Sequence, residues 1–236
     1  MALSRSVRLR TFAVSAIAAS SLTGSALAAD ASHPTVVELF QSQGCSSCPP
    51  ANAVLNAIAD RPDILALSFA VTYWDYLGWK DKFAHSAFTA RQWEYSRAGE
   101  RTNVSTPQMI VNGRGVLVGS NPAQAEAFIK RYDRGASGPV ISLSSGQISV
   151  AGKPGPRPAN VWLVRYDPRI HQVPIRAGEN GGRTLPHKNI VRETWLLGKW
   201  NGGASSFKVP ASADSLRSAI LVQDGPGGAI LAAAKI

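Results

Sequence analysis

The sequence predicts an α/β unit followed by a mostly antiparallel, sandwich-like β unit, behind a removable leader. Three observations carry that prediction. Residues 35–133 alternate β-rich runs with helical periodicities in the order β-α-β-α-β-β-α. From residue 139 onward, short strand-like runs follow one another between Gly, Pro and Asn, with no helical period. The charge divides at the same place. Residues 30–133 carry nine Lys and Arg against ten Asp and Glu, whereas residues 134–236 carry thirteen against five.

The leader comes first. Arg5, Arg8 and Arg10 precede the small, apolar run TFAVSAIAASSLTGSALAA, and Ala26-Leu27-Ala28 fits a small-x-small cleavage pattern. A membrane anchor is the competing reading. Ser, Thr and Gly interrupt the run, and it ends in a cleavage pattern rather than a basic stop. The expectation is a signal peptide over residues 1–28, with cleavage near Ala28 and export to the periplasm. No later segment approaches the ~20 apolar residues of a membrane span. Disulfides persist in such a compartment. The basic second unit suits an anionic partner or simply a soluble surface. Its positive charges are scattered singly, and no nucleic-acid partner is expected.

The elements then read in order. TVVELF (residues 35–40) is a β-rich run, and Ala53, Val54, Ala57 and Ile58 recur at helical spacing after Pro49 and Pro50. Proline is tolerated in a helix's first turn. ILALSFAVTYW (64–74) is a second buried strand. A largely helical insertion is expected at about residues 75–103. TPQMIVNGRGVLVGS (106–120) reads as a hairpin turning at Asn112-Gly113. A helix follows, with Asn121 as its cap and Pro122 in its first turn. This bounds a first domain at residues 33–134. RGASGP (134–139) reads as a linker. VISLSS, GQISVAG, NVWLVRYD, HQVPIRAG, NIVRETWLLG, SSFKVP, SAILVQD and GAILAAAKI then form a β-rich domain over 139–236.

The only two cysteines, Cys45 and Cys48, lie between the first strand and the first helix. A helix start offers free N–H groups and the positive end of the dipole, which stabilise a thiolate. The two-residue spacer lets the second thiol resolve a mixed disulfide formed by the first. Cys45 is therefore expected as the exposed nucleophile and Cys48 as the shielded resolving thiol. A zinc site needs a second ligand pair. His33, His85, His171 and His187 are scattered, and no metal site is expected.

Three features in order strengthen the redox reading: a strand carrying Glu38, then Cys45-Ser46-Ser47-Cys48 opening a helix, then Thr106-Pro107 opening a later strand. Together they resemble the thioredoxin superfamily over residues 35–133. The resemblance implies a thioredoxin-like domain with Pro107 as a cis-proline facing the cysteines. It implies that the Thr106 backbone pairs with a substrate chain. It places Glu38 as the buried acid that takes the Cys48 proton, although Glu38 stands one residue further from the first cysteine than the family's usual acid. An acid paired elsewhere in the fold is the other reading of Glu38. VVELFQSQGCSSCPPANAVL, FAVTYWDYLGW, FTARQ, TPQMIVNG, NIVRETWLLGKW and ILVQD narrow the match. They resemble the secreted thioredoxin-like bacterial family catalogued as domain of unknown function 1223. That resemblance implies fold and export but no reaction.

Two further groups stand out. Tyr73 and Trp74, with Trp79 nearby, form either a substrate-facing rim or a hydrophobic plug. GENGGRTLPHKNIVRE (178–193) is a polar stretch around a turn at Gly181-Gly182. It reads either as a ligand site or as a hydrogen-bond network joining the domains. The functional expectation is an exported thiol–disulfide oxidoreductase acting on a protein or a small thiol or disulfide, with no dissociable cofactor. The alternatives are a non-catalytic binding module with a structural disulfide, a copper(I)-binding or delivery protein, and a lone-cysteine peroxidase.

Overall fold

The computed structural model describes residues 28–144, 146–211 and 215–236. The leader over residues 1–27 lies outside the described residues. In the first region, β1 (Thr35–Gln41), α1 (Cys48–Ile58), β2 (Ile64–Ala70), α2 (Ser86–Ala98), β3 (Gln108–Val111), β4 (Gly115–Leu117) and α3 (Pro122–Arg131) follow in the expected order. β1 runs parallel to β2 and antiparallel to β3, the pattern of a thioredoxin-like sheet. A single 3-10 turn at Asp75–Leu77 and then α2 fill the stretch read as an insertion. Together they return the chain from β2 to β3.

Alternation along β1 divides the core. Val36 and Phe40 pack on one face with Phe88 and Tyr95 of α2. Val37 and Leu39 pack on the other with Ala51, Val54 and Leu55 of α1 and Ala125 and Ile129 of α3. Strand side chains alternate between faces, so one residue's difference in position decides which helix a side chain meets. Local signals fix the ends. Asn121 accepts from Gln124 N at 3.0 Å and caps α3. Asn112 and Gly113 both adopt positive φ, at 46° and 67°, and turn the chain from β3 into β4.

The second region is mostly antiparallel, as expected. It contains β5 (Val140–Ser144), β6 (Gln147–Gly152), β7 (Ala159–Asp167), β8 (His171–Pro174), β9 (Thr184–His187), β10 (Ile190–Trp200), β11 (Gly203–Lys208), β12 (Arg217–Gln223) and β13 (Ile230–Lys235). Four of these strands extend the first region's sheet, giving the eight-stranded order β13-β12-β7-β10-β2-β1-β3-β4. The join is short: Ile190 pairs with Ser68, and Ser68 N donates to Asn189 O at 2.9 Å. β11, β6 and β5 form a small sheet. Its Ile148 and Val150 pack against Val161, Leu163, Ile220 and Val222 of the large one, closing the expected sandwich. β8 and β9 form a separate hairpin whose tip returns to the cysteines. No helix among the described residues is long and apolar enough to cross a membrane.

Candidate active site

Cys45 and Cys48 are joined as a disulfide, with Cα atoms 5.4 Å apart, and Cys48 is the first residue of α1. Pro49 and Pro50 occupy the first turn, where a missing N–H costs nothing because the helix has no partner for it. No acidic side chain lies in that turn, so nothing within α1 opposes a thiolate at the positive end of its dipole.

The Thr106-Pro107 peptide bond is cis, as the resemblance implies. Its carbonyl faces the disulfide: Thr106 O lies 3.7 Å from Cys45 Sγ and accepts from Ser47 Oγ at 3.4 Å. Trp74 Nε1 donates to Thr106 Oγ1 at 2.7 Å, and Tyr73 OH donates to Gln92 Oε1 at 3.3 Å. Gln92 in turn donates to Ser105 O at 2.9 Å. Burial pushes the Tyr73 phenol above its ordinary value, so it stays a donor. Tyr73 and Trp74 therefore frame the Thr106 loop. Trp79 instead packs beside Phe83 and Ile175 and donates to Gln43 Oε1 at 2.8 Å.

Two expectations are corrected. The first is the exposure of Cys45: both cysteines have 0 % of their surface exposed. Ser47 Oγ and Thr106 O lie against Cys45 Sγ, and the tip of the β8–β9 hairpin reaches the backbone of the same turn from the second region. Asn180, itself fully buried, donates through Nδ2 to Gln43 O at 2.9 Å and Cys45 O at 2.8 Å. Glu179 accepts from Ser46 N at 2.9 Å and Ser46 Oγ at 2.7 Å. Those bonds hold the Glu179 carboxyl below its ordinary range, the backbone bond most of all. Gly178 supplies the positive φ of 76° at the tip, where its neighbours Gly44 Cα and Trp79 Cβ stand at ordinary contact distance from the position a Cβ would take. The 178–193 stretch thus joins the two regions at the cysteine turn.

The second correction is Glu38. It shares the face of Val36 and Phe40, opposite to α1, and does not meet the cysteines. Its carboxylate receives Arg91 Nε at 2.7 Å and Arg91 Nη2 at 3.2 Å, and the Tyr95 hydroxyl donates to it as well. Arg91 also donates to Gln223 Oε1 at 3.1 Å. Glu38 is the acid paired elsewhere in the fold.

Asp81 was not singled out by sequence reasoning. Its carboxylate accepts from Gln43 N at 2.9 Å and Phe83 N at 2.9 Å, and so holds the strand-to-cysteine turn from below. Burial pushes its pKa up to about 6. No local signal marks Asp81, because its partner lies 38 residues away. Asn180 had a signal, its place in the GENGG turn, but nothing in the sequence names its target. Among the described residues, no group of three or more His, Cys, Asp or Glu side chains is arranged to hold a metal ion.

Comparison with known proteins agrees with this picture. The family model described as "Protein of unknown function (DUF1223)" matches residues 36–223. The crystal structure of an Agrobacterium tumefaciens protein is similar at 30 % identity and a TM-score of 0.70, covering 88 % of this chain and 94 % of that one. No curated protein matches the chain.

Proposed function

The chain belongs to the DUF1223 family, whose description assigns no reaction, and from the geometry of its cysteine site we propose that it is an exported, periplasmic thiol–disulfide oxidoreductase. The observation that carries the proposal is the Cys45–Cys48 pair at the start of α1 with the Thr106 carbonyl 3.7 Å from Cys45 Sγ. A substrate thiolate attacks Cys45 Sγ, the Cys45–Cys48 bond breaks, and Cys48 leaves as a thiolate and takes a proton. A second substrate thiolate then displaces Cys45, leaving a substrate disulfide and two reduced cysteines. In the reducing direction the Cys45 thiolate attacks a substrate disulfide and expels one substrate thiolate, and Cys48 then attacks Cys45 Sγ of the mixed disulfide and frees the second. Both directions move two electrons between sulfur pairs and need no dissociable cofactor. The substrate is a protein or a small thiol or disulfide, and Thr106, with Tyr73 and Trp74 holding its loop, is the proposed substrate contact.

A second reading has one specific observation in its favour. The complete burial of both cysteines suits a structural staple in a non-catalytic binding module. The reduction potential decides between the two. It is measured by equilibration in glutathione buffers with mass-spectrometric thiol counting. The exchange reading expects a value between about −120 and −270 mV, the range of known exchange catalysts. A value below about −300 mV assigns the disulfide to structure.

A further inference from the structure

The hairpin tip of the second region is tied to the cysteine turn by polar contacts that a change of charge would disturb. Asn180 grips the carbonyls on either side of Gly44. Arg183 Nη1 donates to Asn180 Oδ1 at 2.7 Å and fixes the amide's orientation. Glu179 is exposed, yet its carboxylate takes both donors of Ser46, the residue next to Cys45. With this tip bonded to the turn, both cysteines are fully buried.

We infer that Glu179 and Asn180 form a redox-responsive latch, closed over the Cys45–Cys48 disulfide and released by its reduction. The inference deepens the exchange reading and rests on it. Glu179 acts as a positioning residue. In the disulfide state no charge sits on Cys45, and the Glu179 carboxylate is the one anion bonded to the Ser46 donors. Reduction places a thiolate one residue away. Like charges at one helix start disfavour each other, so the bonds from Ser46 to Glu179 weaken and the hairpin tip lifts. The same repulsion raises the thiol pKa of Cys45 while the tip is down. The disulfide state is therefore attacked slowly, when the tip opens, and the reduced state presents an open nucleophile.

The test uses dithiothreitol as reductant on the full chain. One of its thiolates attacks Cys45 Sγ, and Cys48 leaves as a thiolate. The second thiol then displaces Cys45, so the reagent closes into its own disulfide, having lost the two electrons that the protein gained. Reduction is followed by alkylation and mass spectrometry. Glu179→Ala is expected to be reduced about tenfold faster than the unsubstituted chain, the scale of losing a hydrogen bond to a charged group. Glu179→Gln keeps an acceptor for Ser46 but loses the charge. Its reduced form is expected to be alkylated by iodoacetamide at lower pH than the unsubstituted chain, a shift that a merely structural residue would not produce. Equal reduction rates for Glu179→Ala, or an unchanged alkylation profile for Glu179→Gln, overturn the latch. Should Glu179→Ala melt early, the Glu179→Gln profile alone decides. These readouts compare variants with the unsubstituted chain, so they stand whether its potential falls in the catalytic or the structural range.

Discussion

Two polar clusters interrupt the apolar core, one on each side of the same strand's end, and they are built differently. The cluster behind β1 is ionic and closed. Glu38 and Arg91 face each other at 2.7 Å, with Tyr95 and Gln223 filling the remaining hydrogen-bonding positions. Burial, above all, pushes the Tyr95 phenol well above its ordinary value, which keeps it a donor to Glu38. The cluster beneath the cysteine turn is mostly neutral and incompletely filled. Gln43 Nε2 is buried without a partner among the described residues. Asp81 is held at a pKa of about 6, and Glu179 reaches in from solvent. A fully paired network fixes one arrangement. A network with a spare donor and a carboxyl near its titration point has more than one arrangement within reach. The closed cluster lies on the face away from α1, and the adjustable one lies against the cysteines.

The comparison breaks most visibly at Arg91. Arg91→Met leaves the Glu38 carboxylate buried without its cation, and the expected loss is roughly 3–5 kcal/mol of stability in urea denaturation. The double variant Glu38→Leu, Arg91→Met should regain most of that loss, because a paired charge is replaced by apolar packing. The dithiothreitol reduction rate should not move in the double variant. If it does, β1 transmits between the clusters and the contrast fails.

Next in size is a pair of opposed pH dependences. Asp81 comes from the first region and His187 from the second, and both lie beside Phe83. Burial raises Asp81 from 3.8 to about 6, with Asp75 adding to the rise. The folded state therefore binds that proton more tightly than the unfolded chain. Its contribution to stability is greatest below pH 4 and is lost as pH rises through 6, by roughly 3 kcal/mol. Burial lowers His187 from 6.5 to about 4, with His171 and Lys82 adding to the fall. Its contribution is complete above pH 6.5 and is lost as pH falls towards 4, again by roughly 3 kcal/mol. The two slopes oppose each other between pH 4 and 6. Asp81→Asn should make the chain lose stability on acidification relative to the unsubstituted protein, and His187→Leu should make it gain. Urea midpoints across that range read both, and parallel profiles for the two variants would refute the assignment.

The smallest expected effect concerns the outer tie between the regions. Lys188 pairs with Asp60, which is 78 % exposed, so Lys188→Ala should change stability by less than about 1 kcal/mol. A larger loss would mean that the regions are joined at the surface rather than through Asn180 and Asn189.

The sequence revealed what local chemistry specifies. The order of β1 to α3, the cysteines at a helix start, the Asn112-Gly113 turn and the Asn121 cap each rest on neighbouring residues. The cis Thr106-Pro107 bond came from the resemblance. Three features were not legible, and each depends on a distant partner. Strand alternation puts Glu38 with Val36 and Phe40, but the sequence does not say which of those faces α1 covers. The Cys45 carbonyl finds its partner in Asn180, 135 residues further on. The continuity of the sheet depends on one parallel contact, Ile190 with Ser68, which no hydrophobic period announces.

That contact also sets a schedule. Translation runs from the N-terminus, and domains tend to fold as they emerge. β1 to α3 can assemble early, but the edge of β2 has no neighbour until β10 arrives, and an uncovered edge is a template for wrong pairing. During that interval the β8–β9 tip has not been made either. Until residues 178–183 are made, the turn that carries Cys45 and Cys48 lacks its bonds to Asn180 and Glu179, and it gains them only from the chain's own last third.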